Sequence, residues 1–160
     1  MAILNSDKKM EAIDEILACA RRRAEEMDLP YQGALLPAEA QMVLKSLPQQ
    51  AKLVDVRCRA ELDWVGRIPG AIEIELRTYP GMQLNPDFAE QLAQQVTDDA
   101  MLLFICRSGN RSDHAATIMN QNGFVNCYNV LEGFEGDKNE TGHRSQQTGW
   151  KAAGLPWVQS

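Results

Sequence analysis

Residues 101–123 read MLLFICRSGNRSDHAATIMNQNG. The stretch holds an apolar run, Met101 to Ile105, then a polar loop, Cys106 to Asn110, then a helical pattern. Consecutive apolar residues with no polar alternation fit a strand buried on both faces of a parallel sheet. Ser112 to Asn122 reads as a helix with Ala116, Ile118 and Met119 among its apolar residues. Gly123 stands just past its end, where a left-handed backbone commonly stops a helix. Buried strand, tight loop and helix in that order are the half-unit of an α/β fold.

The same alternation extends on both sides. Upstream, Lys52 to Val56 is a short β-branched strand closing on Asp55-Val56-Arg57. Ile68-Pro69-Gly70 is a turn into a second strand, Ala71 to Ile74. Tyr79-Pro80-Gly81 starts a loop, and Asn85-Pro86 starts a helix that runs to about Val96. Pro37-Ala38-Glu39 opens an earlier helix with proline in its first turn, and Pro48 closes it. Gln32-Gly33 reads as a loop. Downstream, Asn126 to Val130 is a last strand, and the polar, glycine-rich tail Glu132 to Ser160 carries a short helical piece near Gln146 to Ala153. The fold class is therefore α/β, a mostly parallel central sheet flanked by helices. Ligands of such sheets bind beyond the carboxyl ends of the strands. Asp55-Val56-Arg57 and Cys106 both fall there.

Ser6 to Asp28 reads as a helix ended by Leu29-Pro30. Met10, Ile13, Leu17, Ala20, Ala24 and Met27 recur at spacings of three and four and form a narrow apolar stripe. Such a stripe needs a covering surface, either the rest of this chain or a second protein or copy. The expected division is a helical extension over residues 1–30 and a catalytic domain over 31–160, with the extension outside the chemistry and available for partner contact or self-association.

Composition bounds the partners. The chain has 160 residues, 44% of them hydrophobic and 24% charged, with a formal net charge of −6. That balance is globular rather than disordered. It lacks the basic excess with which duplex nucleic acid is bound. No run approaches a membrane span, and the start carries no apolar leader segment, so the expected setting is the cytoplasm. Cys19, Cys58, Cys106 and Cys127 are unevenly spaced, with no Cys-x-x-Cys pair. His114 and His143 lack any partner spacing for a metal or a triad, and no metal or cofactor is expected.

Cys106-Arg107-Ser108-Gly109-Asn110-Arg111-Ser112 places a thiol at a strand end, between two arginines and before a helix. Backbone N–H groups of such a turn converge on an anion, and the helix N-terminus adds its dipole. Together with Arg107 and Arg111 they favour the thiolate. A nucleophile and an anion cradle in one loop imply attack on an anionic substrate at Cys106. Cys58, which follows Arg57 on the same edge, reads first as structural and second as a resolving thiol. Cys19 and Cys127 read as structural.

Five segments taken together resemble the single-domain rhodaneses, a sulfurtransferase family. They are Leu53-Val54-Asp55-Val56-Arg57, Ile68-Pro69-Gly70-Ala71, the Cys106 to Ser112 loop, Leu131-Glu132-Gly133-Phe134 and Ala153-Gly154-Leu155-Pro156-Trp157. The resemblance covers about Leu35 to Trp157. Arg67 departs from it, because the family usually has His before Ile-Pro-Gly-Ala. The resemblance implies a rhodanese-like fold and a two-step reaction. Cys106 takes the sulfane sulfur of an anionic donor such as thiosulfate, and a thiol or cyanide removes it from the persulfide. Ser108, Gly109, Asn110 and Ser112, with the two arginines, would form the donor site, and Asp55 and Arg57 a supporting pair that equally reads as a local brace.

Two other readings compete. A relay or binding module would receive sulfur from a protein donor through the N-terminal helix. A cysteine phosphatase or arsenate reductase also uses a thiolate in an anion loop closed by Arg, but its loop is one residue longer. Here four residues, Arg107 to Asn110, separate Cys106 from Arg111, and the tighter ring suits a sulfur atom better than a phosphoryl group. Turnover of an aryl phosphate is therefore expected to be negligible beside turnover of thiosulfate. A colorimetric assay with both substrates checks this, and faster phosphate release would reverse the order of the readings.

Overall fold

The computed structural model describes residues 2–160, with side chains from residue 6 onward. A long helix, α1 (Ala2–Glu26), leads into β1 (Gly33–Leu35), α2 (Pro37–Ser46), β2 (Ala51–Asp55) and α3 (Arg59–Trp64). A short strand β3 (Ile72–Glu73) and a hairpin of β4 (Arg77–Thr78) and β5 (Gln83–Leu84) follow. The chain then forms α4 (Phe88–Ala93), β6 (Met101–Ile105), α5 (Asn110–Gln121) and β7 (Cys127–Val130). The main sheet has the order β1-β7-β6-β2-β3 and every pairing in it is parallel. The register sets Asp55 beside Ile105, so the exits of β2 and β6 are level.

Side-chain alternation along the central strands builds a core on each face. Leu102, Phe104 and Cys106 point with Val54 and Val56 into one core, closed by Phe88, Leu92, Ala116 and Met119. Leu103 and Ile105 point with Leu53 and Tyr128 into the other, closed by Ile13, Leu17, Ala20, Val43 and Trp150. This explains the unbroken apolar run of β6. Both of its faces are inside.

Four members of the α1 stripe, Ile13, Leu17, Ala20 and Ala24, are buried, whereas Met10 and Met27 are about half exposed. The covering surface is thus largely this chain's own sheet. Arg23 fastens the helix. Its Nη1 donates to Ala34 O at 2.9 Å and to Glu39 Oε1 at 2.7 Å, and Nη2 donates to Glu39 Oε2 at 3.0 Å.

The structure corrects several local expectations. Gly33, read as loop, begins β1. Three residues are too few to show a strand period, and parallel pairing of Gly33 with Tyr128 makes the strand. The tail has no helix near Gln146 to Ala153. The N–H groups of Gly149, Trp150 and Lys151 turn instead to Glu132 Oε1, Gly133 O and Phe134 O. α3 and the β4–β5 hairpin were not read from the sequence. α5 starts at Asn110 rather than Ser112, because Asp113 N already donates to Gly109 O at 3.1 Å. Among the described residues no helix is long and apolar enough to cross a membrane.

Replacing Ile13, 1% exposed, by Ala is expected to cost about 2–5 kcal/mol. Met10→Ala, at 45% exposed, is expected to stay within about 0.5 kcal/mol. Urea unfolding of both variants measures the difference.

Candidate active site

The thiol of Cys106 leaves β6 on the face covered by α5. Gly109 N–H donates to its Sγ at 3.1 Å, and Ser112 Oγ lies 3.2 Å from the same sulfur. Both contacts come from the loop and the first turns of α5, so the short spacing wraps the chain around the sulfur. Gly109 makes the wrap with φ 114°, a region that side chains rarely adopt. Asn129 Nδ2 donates to Gly109 O at 3.2 Å and holds the turn from β7. Cys106 is 1% exposed and Ser112 is fully buried.

The loop is also held from behind. Phe134 N donates to Cys106 O at 2.8 Å and Glu135 N to Arg107 O at 3.0 Å. This needs close approach of the turn at Gly133, φ 68°, where a Cβ would fall 2.5 Å from Cys106 O. The Glu132-Gly133-Phe134 segment is thus the floor beneath the thiol loop.

The two loop arginines have different surroundings. Arg111 is tied to Glu61 of α3 in a bidentate pair, Nη1 to Oε1 at 2.6 Å and Nη2 to Oε2 at 3.0 Å. Arg107 is exposed and makes no ion pair among the described residues. Burial alone would raise the Glu61 carboxyl, but the hydrogen bonds and charge of Arg111 outweigh it and hold Glu61 at about 2. Glu61 Oε1 also accepts Cys58 Sγ at 3.1 Å and Cys58 N at 3.3 Å. Burial first, and then the Glu61 bond, push the Cys58 thiol above its usual range. Cys58 therefore stands as a protonated donor to Glu61. Cys127 is buried in the sheet, and burial pushes its thiol up to about 12.

Asp55 and Arg57 are both fully buried and lie toward the opposite face of the sheet. Arg57 Nε and Nη2 donate to the Asp55 carboxylate at 3.0 and 2.8 Å, and Nη2 also donates to Gly66 O at 2.9 Å. The guanidinium sits 4.1 Å over the Phe134 ring. The pair braces the Phe134 floor, and no hydrogen bond joins it to Cys106 among the described residues. Ser108 is half-buried and Asn110 exposed. Arg67 pairs with Asp63 at 2.8 Å and Glu73 at 3.3 Å and bonds through its backbone to Val158, a role in the fold.

A cavity of about 570 Å³ lies against the loop. It is lined by Arg107, Arg111, Cys58 and Glu61, by Glu135 and Arg144 from the tail, and by Ala60, Trp64, Val65, Tyr79 and Met82, which are its apolar members. Another cavity, about 630 Å³, is lined by Glu73, Glu75 and Gln91 among others and holds no thiol. Sequence reasoning missed Glu61, although the Cys58-x-x-Glu61 spacing is a helix-capping signal. Tyr79, Met82 and Arg144 arrive from a hairpin and a distant loop and have no local signal.

A sequence model of the rhodanese-like domain matches residues 39–140. The chain belongs to the rhodanese-like domain family. It is 40% identical over 109 residues to an uncharacterized Rickettsia rickettsii protein, the RP600 homolog, covering 67% of this chain and 82% of that one. It is 32% identical over 85 residues to thiosulfate sulfurtransferase 16, chloroplastic, of Arabidopsis thaliana, covering 52% of this chain and 70% of that one. The crystal structure of Rv0390 from M. tuberculosis superposes with a TM-score of 0.75 at 39% identity, over 81% of this chain and 99% of that one. The rhodanese-like fold and a sulfurtransferase-type family are thereby established.

Glu61 makes the site's acid limit testable. A carboxyl held at about 2 when folded, against about 4.3 when unfolded, adds stability that is present above pH 4–5 and is lost as pH falls toward 2. Glu61→Gln is expected to be less stable at pH 7 and to lose less on acidification from pH 5. Urea midpoints against pH measure this, and parallel curves for both proteins would count against the pair.

Proposed function

We propose that the chain is a thiosulfate-type sulfurtransferase. The Cys106 thiolate attacks the outer sulfur of the donor, the S–S bond breaks, and sulfite departs with the bonding pair. Cys106 then carries the sulfur as a persulfide. A second nucleophile, a thiol or cyanide, attacks that outer sulfur and returns Cys106 as thiolate. The reading is carried by one observation, the Cys106 sulfur accepting Gly109 N–H at 3.1 Å within a loop that places Arg107 on the adjoining cavity. A backbone N–H and the Ser112 hydroxyl are suited to hold an anionic sulfur, because they are fixed before reaction and need no reorganisation. The membership of the chain in the rhodanese-like family and its likeness to a thiosulfate sulfurtransferase support the same reading.

The arginines divide the work. Arg111 is neutralised by Glu61 and fixes the loop against α3. Arg107 supplies the open positive charge for the donor. The relay reading would dock a protein donor on α1, most of whose apolar stripe is packed on this chain's own core, and it is separated from the enzyme reading by whether thiosulfate itself saturates the protein.

Incubation with thiosulfate is expected to add about 32 Da, one sulfur atom, to Cys106, and cyanide to remove it with formation of thiocyanate. Cys106→Ser is expected to abolish both events with its fold intact by circular dichroism. Arg107→Ala is expected to raise the KM for thiosulfate more than it lowers kcat. Intact-mass spectrometry and steady-state kinetics provide the readouts. Full turnover in Cys106→Ser would assign the nucleophile elsewhere.

A further inference from the structure

A second set of polar groups meets the Cys106 loop at the carbonyl of Gly109. That oxygen accepts Asp113 N–H at 3.1 Å and Asn129 Nδ2 at 3.2 Å. Gly109 is also the residue whose N–H reaches the sulfur, and it does so at φ 114°. A glycine backbone has many alternatives to that conformation, so the two donors on its carbonyl hold its N–H on the sulfur. Asn129 is buried with its Oδ1 unpaired, an arrangement that costs stability. Asp113 is oriented in turn from outside α5. The Tyr31 hydroxyl donates to Asp113 Oδ1 at 2.5 Å, between residues 82 positions apart. Tyr31 lies in the connection between α1 and β1, outside the residues matched by the family model. It is buried in the same core as Cys106. Burial first, and then the Asp113 carboxylate, push the Tyr31 phenol far above its ordinary range, and the Asn129 side chain opposes them only in part. The hydroxyl therefore stays protonated and remains a donor. The connection has other fastenings, Gln32 N–H to Cys127 O at 3.0 Å and Asn120 Nδ2 to Pro30 O at 2.8 Å, so its place does not depend on the hydroxyl alone.

We propose that Tyr31 is a positioning residue for the Cys106 sulfur, acting through Asp113 and, together with Asn129, on Gly109. Bonded to Tyr31, the Asp113 carboxylate is committed to the α1–β1 connection. Without that bond it is a free acceptor in the first turn of α5. Short side-chain acceptors near a helix start take backbone N–H groups for themselves, and the first N–H groups of a helix have no partner within it. The donors that converge on the sulfur come from this same stretch, Gly109 to Ser112. The Tyr31 hydroxyl thus keeps a carboxylate from competing with the sulfur for the loop, while Asn129 keeps the Gly109 carbonyl in place. The effect on turnover rests on the reading of Cys106 as the sulfur acceptor, whereas the effect on the thiol itself does not.

Tyr31→Phe keeps the ring in the core and removes only the donor. Iodoacetamide alkylation of Cys106 against pH, followed on the Cys106 peptide by mass spectrometry, reads the state of the thiol without any sulfur donor. Its midpoint is expected to rise by about half a pH unit or more in Tyr31→Phe. The kcat for thiosulfate is expected to fall about threefold or more, with KM within about twofold of wild type. Asn129→Ala is expected to move both readouts in the same direction. Asp113→Asn placed on Tyr31→Phe replaces the freed carboxylate by a weaker, neutral acceptor and is expected to restore most of the midpoint. Arg107, Arg111, Glu61 and Cys58, the charged and titratable groups around the loop, are the same in all of these variants. A hydroxyl that serves only as a fastening lowers the urea midpoint of Tyr31→Phe and leaves the alkylation profile and kcat unchanged. That result overturns the proposal, and continued turnover of thiosulfate leaves the sulfurtransferase reading standing. A midpoint that Asp113→Asn does not restore overturns the route through Asp113. A shifted midpoint in a protein whose wild type takes no sulfur from thiosulfate supports the positioning role and removes only the sulfurtransferase reading.

Discussion

The backbone at the end of β6 is the constraint on which the site depends. Ile105 O accepts Val56 N–H at 2.9 Å from the extension of β2, and Cys106 O accepts Phe134 N–H at 2.8 Å from the extension of β7. The central strand is thus gripped by both neighbours just where regular pairing stops. With its carbonyl pinned, Cys106 can direct its side chain only to the α5 face, where Gly109 N–H and Ser112 Oγ meet the sulfur. Moving the grip by one residue would turn the sulfur to the other face, because side chains alternate along a strand.

The charged residues around this point are arranged by depth. The innermost pair, Asp55 and Arg57, is wholly desolvated; four hydrogen bonds from Arg57 to the carboxylate, one to Gly66 O and the Phe134 ring offset part of that cost, while Arg57 Nη1 is buried without a hydrogen-bond partner. Breaking such a pair costs more than forming it contributes, so it specifies position more than it adds stability. The next pair, Arg111 with Glu61, is largely buried and fixes α3 to α5 across the mouth of the site. Arg107 and Arg144 remain beyond it without carboxylate partners among the described residues. The positive charge open to a substrate is therefore on the cavity side, while the charge next to the core is cancelled.

The helical wrap follows the same economy of contacts. α1 lies outside the residues matched by the family model, yet Ile13, Leu17 and Ala20 share a core with Leu103 and Ile105 of β6. Packing on α1 and packing at the Cys106 thiol therefore involve opposite faces of the same strand. Ion pairing of Arg23 with Glu39 of α2 ties the helix at its far end. The helix supports the strand from which the thiol projects without entering the site.

The features legible in the sequence are those in which local pattern and tertiary role coincide. The unbroken apolar run of residues 101–105 can be accommodated only with both faces covered, and Cys106-Arg107-Ser108-Gly109-Asn110-Arg111-Ser112 carries its own turn chemistry. The parallel sheet, the level exits of β2 and β6 and the candidate nucleophile were therefore readable from one dimension. β1 was not, since three residues have no measurable period and become a strand only through pairing with β7. The tail resisted reading for a related reason. The N–H groups of Gly149, Trp150 and Lys151 are taken by Glu132, Gly133 and Phe134, which leaves only a single turn at Ala153 and Gly154 bonded to residues just before it. Composition shows that Arg107 and Arg111 are both positive, but only the tertiary structure assigns Glu61 to Arg111 and leaves Arg107 open. The same holds for Trp64, Tyr79 and Met82, which packing brings to one cavity. Local sequence determines where the chain turns and which thiol stands in the anion-binding loop. Long-range packing decides which charges are cancelled and what surface faces that atom, because both depend on residues far apart along the chain.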